Sequence, residues 1–188
     1  MKGFNYKKAV QALNYFAVES GGTLNKMKAL KLIWLADRYH LRHYGRTITG
    51  DVYFALPHGP VASTTRDIME KNVGLSDDEL NYSEQFLKST GGYDFGSNSD
   101  PNQKVFSKTD IDVLKIIFET YNKFNHFQLS DISHNFPEWR KYEASFKSGN
   151  QSRFEIKKEE FFENHQDGQG LFEDDEEFLN VAKEISKH

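Results

Sequence analysis

The stretch from Lys26 to Tyr44 constrains this chain most, because its apolar residues run around most of a helix rather than along one stripe. Met27, Leu30, Ile33, Trp34, Leu41 and Tyr44 share one broad face, and Leu32, Leu35, Ala36 and Tyr39 extend it. Asn25 is placed to cap the start, and Gly45 stops the end. Such a helix belongs in the middle of a fold, so it is expected to be the central pillar. Asp37 falls on its apolar face, four residues after Ile33 and three after Trp34. A carboxylate there must find hydrogen-bond partners or give up its charge.

The other elements are read around that pillar. Asn5 caps a first helix with Tyr6, Ala9, Val10, Leu13, Phe16 and Ala17 at helical spacing, ended by Gly21-Gly22. Residues 46–60 read as a turn, a brief strand at 52–55 and a second turn, and a third helix is expected over about 61–72. Ser76 opens a short helix to Phe86. The Gly-, Ser- and Asn-rich 89–104 reads as an exposed loop, with a small hairpin pairing 93–95 with 105–106. A strong helix follows a Ser107 or Thr109 cap, reaching about Asn125. A short helix then ends at His134, and Pro137 begins another that carries Trp139 and Tyr142. Residues 148–153 read as linker, followed by weaker segments at 157–163 and 173–186 with a Gly-rich turn at 167–170. The expected fold class is mainly α, a compact multi-helix bundle with a short strand or small hairpin near 52–55 and 93–106. Its domain spans 1–150, and an acidic, weakly helical extension, 151–188, packs on or near it.

Composition excludes several function classes. The 188 residues contain no cysteine, which rules out disulfides, thiolate zinc, iron–sulfur clusters and a Cys nucleophile. No apolar run approaches the length of a membrane span, and the N-terminus carries an interrupted amphipathic pattern rather than a signal-peptide core. A cytoplasmic protein is expected. Charge is uneven: residues 1–158 carry 22 Lys/Arg against 18 Asp/Glu, whereas 159–188 carry 2 against 10. The acidic end can mask a basic face or engage a basic partner, although a solvated terminal charge run has the same composition.

Asp37, His40, Asp51, His58 and His134 are the groups from which a metal or acid–base site would be built. No metal-ligand spacing accompanies them, and a buried Asp bonding to backbone amides, or paired with Arg38, Arg42 or a histidine, accounts for the same pattern. Gly59 before a helix start lacks the glycine run and lysine of a nucleotide loop. A helix-turn-helix reading would need Lys26, Lys28 and Lys31 on one exposed face, against the apolar surround of their helix. DNA binding is therefore not expected, nor is a cofactor.

The run from Lys31 to Val61 resembles the opening signature of the Panacea (SocA-like) domain, which reads K-L-x-Y-L-A-D and then G-x-x-I-T-G-D-x-Y-x-A-x-x-x-G-P-V. Trp34 stands where that pattern has Tyr. Further similar stretches are Phe106–Asp110 with Val113-Leu114, and Leu129-Ser130 through Ser133-His134 to Trp139. The resemblance covers about 120 residues. It implies an antitoxin that neutralises a toxin encoded nearby by direct protein contact. Other members are similar to an adaptor that delivers its toxin to a protease, or are phage-associated proteins. It implies no catalytic residue, and marks Asp37, Gly50, Asp51, Tyr53, His58, Gly59, Pro60, His134 and Trp139 as structural positions. Alternatives are a DNA-binding autoregulator and an enzyme using Asp37, Asp51 and His58. Self-association is also open. The 90–104 loop and residues 150–188 are the expected partner-specific surface.

Overall fold

Asn25 does cap the central helix: its side-chain oxygen accepts from the amides of Met27 and Lys28, at 3.0 and 3.2 Å. The computed structural model describes residues 3–72, 74–149, 151–166 and 168–187. Asn150 in the expected linker and Asp167 in the expected turn lie outside the described residues. α1 (Tyr6–Glu19) starts at Asn5, whose side chain accepts from Lys8 N, and β1 (Thr23–Asn25) leads into α2 (Lys26–Tyr44). Gly45 ends α2 in the left-handed conformation at φ 68°.

The 46–52 loop leads to a hairpin, β2 (Tyr53–Leu56) and β3 (Gly59–Ala62), and then to α3 (Ser63–Glu70). α4 (Asp77–Phe86), opened by a Ser76–Glu79 capping box, runs into β4 (Leu87–Ser89) and β5 (Asp94–Ser97). α5 (Lys108–Tyr121) is opened by a Ser107–Asp110 capping box. α6 (His126–His134), α7 (Pro137–Arg140) and α8 (Glu143–Ser148) follow, then β6 (Phe154–Ile156), a 3-10 turn at Lys158–Phe162 and α9 (Glu176–Ile185).

The protein is mainly helical, but it has more strand than the sequence suggests. β2 pairs antiparallel with both β3 and β6, Tyr53 standing opposite Ala62 and Ile156. The second sheet corrects an expectation: β5 pairs with β1 and β4, not with 105–106, which belongs to a 3-10 turn and its cap. Phe95 of β5 is buried opposite Leu24. The apolar surface of one ring, together with edge pairing to residues 70 positions earlier, orders a segment whose composition reads as loop.

Thirteen of the nineteen α2 residues are buried, so the helix is enclosed from several sides by α1, α5, α6, α9 and β3. Trp34 packs edge-on against Phe136 at 4.7 Å, and Phe16 lies against Phe118. Each fully buried ring contributes on the order of 2–3 kcal/mol. Residues beyond 150 join this core directly: Phe161, Phe162, Phe172, Leu179 and Ala182 are buried in it. No helix among the described residues is long and apolar enough to cross a membrane.

Candidate functional site

Asp37 resolves its burial by collecting donors from the loop that follows α2. One oxygen accepts from the amides of Ile48 (2.6 Å) and Thr49 (2.9 Å). The other accepts from the Tyr53 hydroxyl (2.7 Å) and from the Thr49 hydroxyl. Thr49 Oγ1 in turn accepts from the amide of Asp51. Burial raises the Asp37 carboxyl above the usual carboxylate range, and the bonds from Thr49 and Tyr53 oppose that rise. The Tyr53 phenol is pushed well above its ordinary value by burial and by the facing Asp37. Gly50, at φ 72°, turns the chain between the two aspartates.

Asp51 makes the equivalent knot one step later. Its carboxylate accepts from Val52 N, Thr64 N and Thr65 N at 2.7–2.8 Å and from the Thr65 hydroxyl at 2.6 Å. It thereby caps α3, whose preceding residue Ala62 has no side chain able to do so. Two carboxylates thus tie the loop and the hairpin to α2 and α3.

A second group lies under the hairpin tip. Lys31 is buried, and its ammonium donates to the carbonyl of Pro60 at 2.8 Å. Burial lowers its pKa well below the usual lysine range. Gly59, at φ 102°, lies so close that a Cβ would collide with Lys31 Nζ and Ser133 Oγ. His58 is exposed, and its carbonyl accepts from Ser130 Oγ at 3.0 Å. His134 stacks on Trp139, with ring centres 3.8 Å apart, and the indole nitrogen donates to Leu56 O at 2.7 Å. Burial, then the nearby Lys31, lower the His134 pKa.

The nine signature positions therefore fall in or beside the two carboxylate knots and the group under the hairpin tip, within a span that matches a known family. Residues 30–140, more than half of the chain, match the antitoxin SocA-like, Panacea domain. This chain belongs to the SocA-like Panacea family. No curated protein and no solved structure matches it. In this Panacea chain, Asp37 follows the first of the two sequence readings, bonding to backbone amides, and among the described residues it pairs with neither an arginine nor a histidine. The hydroxyls of Thr49 and Tyr53 complete its set of donors. Among the described residues, no group of three or more His, Asp or Glu is placed to hold a metal ion.

The ionic groups that sequence reasoning missed are on α2 itself. Arg38 is fully buried. It donates to Glu138 at 2.8 Å and to the Glu163 carbonyl at 2.7 Å, and its guanidinium lies over Phe136 and Phe172. Arg42 grips the end of the chain: it donates to Asp174 (2.6 Å), to the Asn164 side chain and to the carbonyls of Phe161, Glu163 and Phe172. His40 donates through Nδ1 to the Arg46 carbonyl, and Asp110 gathers His40, Lys8 and Arg46 at 3.1, 2.5 and 2.8 Å. The only advance signal was a helix with basic residues at positions that its own apolar pattern required to be inside. The exposed lysine face needed for a helix-turn-helix does not form: Lys31 is buried, and Lys28 donates to both oxygens of Asn122.

Proposed function

We propose that this protein is an antitoxin that neutralises a cognate bacterial toxin, encoded nearby, by binding it directly in the cytoplasm. Membership of the SocA-like Panacea family over residues 30–140 carries the reading. The chemistry of the signature agrees with it. The Asp37 and Asp51 carboxylates are turned onto their own chain's amides and hydroxyls, an arrangement that serves a scaffold and leaves little lone-pair capacity for acid–base work. On this reading residues 1–150 are the common domain, and 151–188, beyond the family match, are the addition that suits this chain to its partner.

The test is to express the product of the adjacent reading frame with and without this protein. Growth rescue together with co-purification of the two chains is the expected result. Rescue without a stable complex, abolished in a protease-deficient host, would instead favour an adaptor. An adjacent product that arrests growth and is not rescued would overturn the reading.

A further inference from the structure

Four of the seven large hydrophobic side chains exposed among the described residues, Tyr44, Phe178, Val181 and Ile185, lie on one side of the molecule. Phe178, Val181 and Ile185 are spaced by three and four residues along α9, so they share one helical face. The His43 ring links Tyr44 to Phe178, with centroids 6.3 and 5.4 Å away. Leu179 and Ala182 supply the buried face of α9, whereas Phe178 and Ile185 lie against His43 and Gly45 yet stay 42% and 56% exposed, and Val181 stays 57% exposed. A contiguous exposed apolar patch of this kind marks an interaction surface.

The stripe continues into an open cleft. Ile185 and Tyr44 form part of its wall, with Leu41, Ile48 and Phe162 behind them, and its volume is about 500 Å³. The surface is also firmly held. Ile185 sits directly over Gly45, where a Cβ would come within 2.5 Å of it, and Arg42 clamps the segment that precedes α9. Little ordering is left to be done on binding.

The charge around it selects the occupant. No cation is ion-paired with Glu159 on the cleft wall or with Glu177, which flanks the stripe on α9, among the described residues, and 159–188 carries ten acids against two lysines. Lys158 also faces the cleft, whereas Lys8 and Arg46 at its other end share the single carboxylate of Asp110 and are turned toward it, away from the α9 stripe. A second copy seated on the α9 stripe would bring the same acids against Glu159 and Glu177, and a phosphate-rich partner would be repelled by them.

We propose that the outer face of α9, with Tyr44 and the adjoining cleft, holds the toxin through a short basic amphipathic segment of that protein. Its apolar side chains fill the stripe and the cleft mouth, and its Lys/Arg meet the glutamates. The proposal rests on the antitoxin reading above. Binding of the purified adjacent product is measured for the wild type, V181E, the pair E159K/E177K and the distant surface control F127E, with thermal unfolding of each protein alone. V181E should weaken binding at least about tenfold and abolish rescue. The lysine pair should weaken it and flatten its salt dependence. F127E should match the wild type, and all four should melt alike. Wild-type affinity in V181E would overturn this surface while leaving the antitoxin reading intact. A wild type that fails to bind would remove both. A dimer that V181E converts to monomer, with toxin binding unchanged, would show that a second copy covers the stripe and would overturn the proposal.

Discussion

Lys31 reaches the Pro60 carbonyl because residue 59 is glycine: the ammonium and Ser133 Oγ occupy the space in which any Cβ would stand. The φ of 102° at Gly59 is itself a conformation that L side chains rarely adopt. Gly59→Ala should therefore combine backbone strain with a collision in the interior, lowering stability by about 3 kcal/mol in urea unfolding. Gly21→Ala, at φ 86° with open space around it, isolates the backbone part and should cost about 1 kcal/mol. Equal losses at the two sites would mean that the contact with Lys31 and Ser133 relaxes freely.

Asp37 holds four donors from three residues, so it fixes the loop and the start of β2 together. Asp37→Asn keeps one accepting oxygen and turns an NH2 toward groups that were donating. A loss of about 2–4 kcal/mol is expected by denaturant unfolding. Tyr53→Phe removes one donor and should cost about 1–1.5 kcal/mol. If both substitutions were neutral, the loop would be held by its packing alone.

The elements that were legible in the sequence are those fixed by neighbours in the chain. Asn5, Asn25 and Ser107 cap their helices within three residues, and Gly45 stops α2, so those boundaries follow from local spacing. Asp37 was visible because a carboxylate on an apolar face has to be explained. The partners of Arg38 and Arg42 were not visible, since Glu138 and Asp174 lie 100 and 132 positions away. Their long side chains can also reach solvent from many helix faces, so position alone does not announce burial. β1 was hidden for another reason: three residues are too few to show an alternating pattern, and their partner strand is some 70 residues on. Of the candidate site, the aspartates, His134 and Trp139 were legible as residues, but the knot that buries Asp37 while His58 stays exposed was not.

Asp110 is the group through which acid should act. Burial alone would raise its pKa, but bonds from His40, Lys8, the Ser107 amide and Arg46 more than reverse this and hold it well below the usual carboxylate range. The unfolded chain, with the ordinary value of 3.8, then binds the proton more readily than the folded one. The stabilisation is fully present above that pH and is lost as pH falls below it toward the depressed folded value. Asp174, lowered by His43 and Arg42 against its own burial, acts in the same direction. The melting temperature of the wild type should fall steeply below about pH 4. Asp110→Asn should be less stable at pH 7 and show a shallower acid decline. Parallel pH profiles would place the acid sensitivity elsewhere.

Arg42 is where α2 and the last part of the chain are joined, and its substitution should separate their stabilities. Its guanidinium serves two side chains and three carbonyls at once, which demands a planar fork with several donors. A lysine keeps the charge but offers three donors from one point, so Arg42→Lys would leave carbonyls of 161–172 buried without partners. A loss of about 3 kcal/mol is expected. Because β6 still pairs with β2, and α1 and α5 pack on α2 from other sides, the damage should be local. Hydrogen exchange should speed up across 161–174 and α9 while α1 and α5 keep their protection. Toxin binding should weaken with it, since the α9 stripe would lose its fixed base. Uniformly faster exchange would instead make Arg42 a keystone of the whole fold, and unchanged exchange would mean that Phe161 and Phe172 hold this segment without it.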